Sequence, residues 1–131
     1  MVQVERDELL RALKGFKGIA KQDLLLIEQT PEAEYRKTHA EARREIYAKL
    51  IDLVEGPGID EACVFALSEY HKVPDFIEGD DPAISGHIQA LELFFKLIGI
   101  TPDKFKYLKA TNNDINQLFA LIPPVQGNAY V

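Results

Sequence analysis

Three times in this chain a small polar residue stands directly before a proline that opens a run of helix-forming residues: Thr30-Pro31, Asp81-Pro82 and Thr101-Pro102. Such a pair suits a helix start. The capping side chain accepts a hydrogen bond from an early N–H, and proline at the first position has no N–H to leave orphaned. The stops are as plain: Gly56-Pro57-Gly58, Val73-Pro74 and Gly99. Glycine ends helices readily, and the residue before a proline avoids the helical region. No run alternates apolar and polar residues convincingly, so no strand is predicted. The expected fold is all-α, a compact multi-helix domain with one long helix.

The apolar spacing places the elements. Leu9, Leu10 and Leu13 mark a first helix from about Arg6 to Lys14, which Gly15 and Gly18 are expected to break. Leu24, Leu25, Leu26 and Ile27 then form a short helix too continuously apolar to be exposed. Residues 1–29 therefore read as short N-terminal helices. The long helix should run from Pro31 to about Glu55, capped by Thr30. Its first half is polar all round, and its second half carries Ile46, Tyr47, Leu50, Ile51 and Val54 on one face. The polar half reads as an arm projecting from its own core toward a partner. Further helices are expected over residues 59–72, 82–98, 102–109 and 114–122, closing one domain at residue 122. Residues 123–131, with Pro, Gly and Asn and no period, read as a tail.

Composition narrows the class. At 131 residues, 47% hydrophobic and 27% charged, the chain lies in the globular range and is long enough to hold a core without staples. Its one cysteine, Cys63, precludes an intramolecular disulfide and suits a reducing compartment. Charges stand where a signal peptide would need an apolar run, and no stretch approaches the ~20 apolar residues of a membrane span. A cytoplasmic location without membrane contact is the expectation. The net charge of −6 is uneven: residues 1–49 carry net +1, residues 50–103 net −9, and residues 104–131 net +2. A nucleic-acid wrapper would be basic throughout. Any DNA contact should therefore use the N-terminal part, through Lys14, Lys17, Lys21, Arg36, Lys37, Arg43 and Arg44.

No motif carries chemistry. His39, His71 and His87 have no metal-ligand spacing and Cys63 sits on an apolar face, so neither a metal site nor a cofactor is expected. The segment KGFKG lacks the glycine spacing and following Lys-Ser/Thr of a phosphate loop, and DFIEGDD lacks the order of a calcium loop. Ser68 and Ser85 have no nucleophile context. The helix from Pro82 has two apolar stripes: Ile84, Ile88, Leu91, Phe95 and Ile98 on one, Leu93, Phe94 and Leu97 on the other. Two apolar faces predict self-association, with Ile88, Leu91, Phe94, Phe95 and Leu97 at the interface.

Two segments resemble a known family. Ala42-Arg43-Arg44-Glu45-Ile46-Tyr47-Ala48-Lys49-Leu50-Ile51-Asp52-Leu53-Val54-Glu55-Gly56, followed by Asp81-Pro82-Ala83 and Ala90-Leu91-Glu92-Leu93-Phe94-Phe95-Lys96-Leu97-Ile98-Gly99, resembles the oligomerisation region of phage terminase small subunits over about residues 33–100. The resemblance implies a non-catalytic homo-oligomer that binds double-stranded viral DNA and regulates a large terminase motor subunit. Members usually carry an N-terminal helix-turn-helix, and the roughly 30 residues before the long helix are short for one. The alternative is a helical protein–protein interaction adaptor with no nucleic-acid role.

Overall fold

The computed structural model describes residues 4–26, 31–74, 81–110 and 114–122. Among them the fold is all-α: α1 Arg6–Leu26, α2 Ala33–Glu55, α3 Ile59–Lys72, α4 Pro82–Leu97, a 3₁₀ turn Pro102–Lys104 running into α5 Phe105–Ala110, and α6 Ile115–Ala120. The Thr30 cap, Ile27, the acidic loop before Asp81, Asn112, Asn113 and the 123–131 tail lie outside the described residues.

The first correction concerns the N-terminus. Gly15 and Gly18 do not break the chain into short helices; α1 continues through both to Leu26. A glycine inside a helix costs only about 1 kcal/mol relative to alanine. Burial of Leu9, Leu10, Leu13 and Ala20 against the neighbouring helices outweighs that. The apolar run at its end is likewise not buried on most sides, because Leu25 is 74% and Leu26 64% exposed. Here the helix has run past the body it packs on.

Helix α2 is the centre, with α1 antiparallel along it. At one end the Arg6 guanidinium donates to the Val54 and Glu55 carbonyls at 3.3 Å, capping the last turn of α2. Midway the Phe16 and Tyr47 rings stack at 6.1 Å, and at the far end Arg43 pairs with Asp23. The expected polar arm is the second correction. The first half of α2 is packed on both sides, by α1 and α4, and the contact is made by small residues: Ala40 and Ala42 are buried. Helix α2 also begins at Ala33 rather than Pro31. Glu32 holds the N-cap position with φ 62°, a left-handed backbone, and makes no side-chain cap.

Opposite α1 lies α4. A Cβ placed on Gly86 would stand 2.5 Å from the His39 carbonyl oxygen and 2.9 Å from the Ala42 Cβ, so only glycine lets these backbones approach so closely. Leu91 and Ile46 line one groove farther along, so α2 and α4 run in the same direction. The Asp81 carboxylate caps α4, accepting from the Ala83 and Ile84 N–H groups at 2.9 and 3.2 Å, with Pro82 at the first turn. Helix α3 returns from the end of α2 to pack on both, and lays Tyr70 edge-on against Phe95 at 5.2 Å. Phe105, at the start of α5, closes on Phe95 from the other side at 6.2 Å. The Lys109 ammonium then donates to the Tyr70 and Val73 carbonyls at 2.7 and 2.6 Å, capping α3 from a distant helix.

Candidate interaction surface on the first two helices

The predicted interface on α4 is the third correction. Leu91, Phe94 and Phe95 are fully buried within the chain, and only Ile88 and Leu97 are half-exposed. Two apolar stripes on one helix do not require a second copy here. Helices α2, α3 and α5 cover this helix: Leu91 lines a groove with Ile46, and Phe95 packs on Tyr70 and Phe105.

Of the seven cations proposed for DNA, one is turned away from solvent. Arg43 is committed inward: its guanidinium meets the Asp23 carboxylate at 2.6 Å, its side chain is 11% exposed, and its Nε is buried with no partner. Lys14 pairs with Glu55 at 3.1 Å, an exposed contact of small energetic value. Lys17 is half-buried in a shallow groove with Arg44, Glu41 and Glu45. Lys21, Arg36, Lys37 and Arg44 stand exposed. Glu34, Glu41 and Glu45 are exposed on the same stretch of α2, so the charge there is mixed.

Where α1 ends beside the start of α2, an open groove of ≈ 510 Å³ is lined by Asp23, Leu26, Glu32, Tyr35, Arg36, His39 and Arg43. The Tyr35 and His39 rings stack at 6.3 Å along it. Its two guanidinium groups face two carboxylates, so the groove is polar without a strong net sign. It can hold polar or planar groups, and none of the described residues that line it is a serine, threonine or cysteine.

Elsewhere the titratable groups are arranged for packing. Burial, with Asp60 nearby, pushes the Cys63 thiol from 9.0 up to about 12. Its reactive thiolate is correspondingly suppressed. Burial also raises the Tyr70 phenol, and its hydrogen bond to Glu92 at 2.8 Å adds to the shift. Tyr47 is raised by burial in the same way, against an opposing effect of Arg43. Among the described residues none that is polar or charged is buried, and no three His, Cys, Asp or Glu side chains converge as metal ligands. No single helix among them is long and apolar enough to cross a membrane.

The feature that sequence reasoning missed is on the outside of α1. Ile19, Leu25 and Leu26 are 50%, 74% and 64% exposed, the largest such cluster on one helix. The signal was there. Continuing the helix at 100° per residue through Gly15 and Gly18 places Leu25 and Leu26 on the side of the two glycines, turned away from Leu9 and Leu13, with Ile19 at the edge of that side. No known family model matches the chain, and no curated protein or solved structure matches it either, so the role of this surface rests on its own residues.

Proposed function

We propose that this chain is a non-catalytic assembly protein that docks another protein along the outer face of α1. The observation that carries the reading is the exposure of Ile19, Leu25 and Leu26 on a helix whose other face is fully used. Clustered apolar surface of this kind, beside polar groups, is the ordinary mark of a protein contact. The groove with Tyr35 and Arg36 adjoins the same end of α1 and offers polar contacts at its rim. The test compares proteins recovered with the wild type and with Ile19→Glu/Leu25→Glu in cells expressing each. One defined partner present with the first and lost with the second, at unchanged helicity, supports the reading. Identical recoveries overturn it.

A more specific form is the one the terminase resemblance implies: a homo-oligomer that binds viral DNA and regulates a packaging motor. Exposed Lys21, Arg36, Lys37 and Arg44 favour it. Binding to duplex DNA that weakens steeply with salt would support it, each lost phosphate contact reducing the slope by about one unit. Absence of binding at low salt leaves the adaptor form.

A further inference from the structure

We infer that the partner on the outer face of α1 is an acidic amphipathic helix of another protein. This rests on the proposed docking role of α1 and names the chemistry of its occupant. Two rows of side chains run along that face, each stepping by three and four residues. Arg11, Lys14, Gly18, Lys21 and Leu25 form one, and all five are exposed. Ala12, Gly15, Ile19, Gln22 and Leu26 form the other. Both rows are turned away from Leu9, Leu13 and Ala20, which α1 buries. The first row is basic and the second carries no charge. No acid stands between Glu8 and Asp23, although the chain as a whole is acidic, with net charge −6.

Each row selects a feature of the occupant. At Gly15 and Gly18 a would-be Cβ meets no atom within 4 Å, so the surface is lowest there and a partner backbone can come closest. Ile19, Leu25 and Leu26 rise beside that step and give an apolar row on the partner something to pack on. Arg11, Lys14 and Lys21 lie within ~15 Å along the axis, so the partner's flanking row is acidic, as flanking charges choose the mate in paired helices. Lys14 already meets Glu55 at 3.1 Å, but both groups are about half exposed. Such a pair is worth little, and a partner carboxylate can replace it. Lys17 lies round the side with Glu41, Arg44 and Glu45 and takes no part. Asp23, at the other edge, is held by Arg43. Duplex DNA has phosphates for the basic row but nothing for the uncharged one. The same face of a second copy offers cations where acids are required.

The closing experiment uses the purified full-length chain and two synthetic helical peptides of about three heptads, the length of α1. Both carry leucine along one face; the flanking positions are glutamate in one and lysine in the other. The glutamate peptide should bind at least about tenfold more tightly than the lysine peptide at about 0.1 M salt. The difference should shrink toward about 1 M, where the screening length falls from about 10 Å to about 3 Å. Lys14→Glu/Lys21→Glu, both at exposed positions, should reverse the preference at unchanged helicity. Gly15→Gln/Gly18→Gln should weaken binding of the glutamate peptide yet melt no lower than the wild type, since glutamine is the better helix former. Equal binding of the two peptides overturns the inference, as does binding of neither. So does a preference untouched by Lys14→Glu/Lys21→Glu, or a wild type that fills the face with a second copy of itself. A partner recovered from cells and lost with Ile19→Glu/Leu25→Glu, yet indifferent to Lys14→Glu/Lys21→Glu, leaves docking on α1 in place and removes only its acidic occupant.

Discussion

Glycine occurs inside two helices of this protein for opposite reasons. At Gly86 in α4 the missing side chain is what lets α4 lie against α2, since a Cβ there would stand 2.5 Å from a backbone oxygen. At Gly15 and Gly18 in α1 there is open space on all sides. The first glycine is bound to the interior of this chain. The other two weaken their helix, and no close approach within the chain requires them. Helices α2 and α4 thus form a closed unit, while α1 is closed on one face only.

Phe94→Ala removes a fully buried ring from the α2–α4 unit and should cost about 3–5 kcal/mol, read as a lowered denaturant midpoint. A loss below about 1 kcal/mol, of the size usual for surface changes, would return Phe94 to the surface role read from the sequence. Gly86→Ala should cost about 1–3 kcal/mol, because either the His39 carbonyl or the Ala42 methyl must move. A neutral result would mean that the crossing is loose. Asp81→Ala deletes the cap that seats α4 and should cost about 1 kcal/mol, with Asp81→Asn losing less. Gly18→Ala has the smallest effect and the opposite sign. It should stabilise the monomer by about 0.5–1 kcal/mol, since the position is helical, open and already compatible with a side chain. Destabilisation there would show that α1 is not continuous through residue 18.

Much of the fold could be read from the residues. The start of α4 follows from Asp81-Pro82, and the buried face of α3 from the spacing of Ala62, Cys63, Ala66, Leu67 and Tyr70. Small residues were not legible. A pattern search weighs large apolar side chains, so Ala40, Ala42 and Gly86 passed as spacers, and the first half of α2 looked solvated. The same bias made α1 appear to stop at Gly15. Propensity is local and weak, while the packing that overrides it depends on distant partners, such as Val54, 48 residues from Arg6. The site was the least legible part. The cations stood out in the sequence, but which of them are paired inward, as Arg43 is with Asp23, depends on how α1 lies on α2. Phe94 looked outward for a related reason: nothing in its own helix tells how many neighbours will cover it.

The clasp between Arg6 and the end of α2 also orders events during synthesis. Helix α1 leaves the ribosome before the helices it packs on, and a 21-residue segment with two glycines is a marginal helix by itself. Its capping partners, the Val54 and Glu55 carbonyls, are made 48 and 49 residues after Arg6. At ordinary elongation rates that is an interval of roughly 2–10 s, during which Leu9, Leu10 and Leu13 have no core to enter. For that interval α1 is an unclosed strip of leucines and lysines, the kind of exposed apolar segment that chaperones exist to shield.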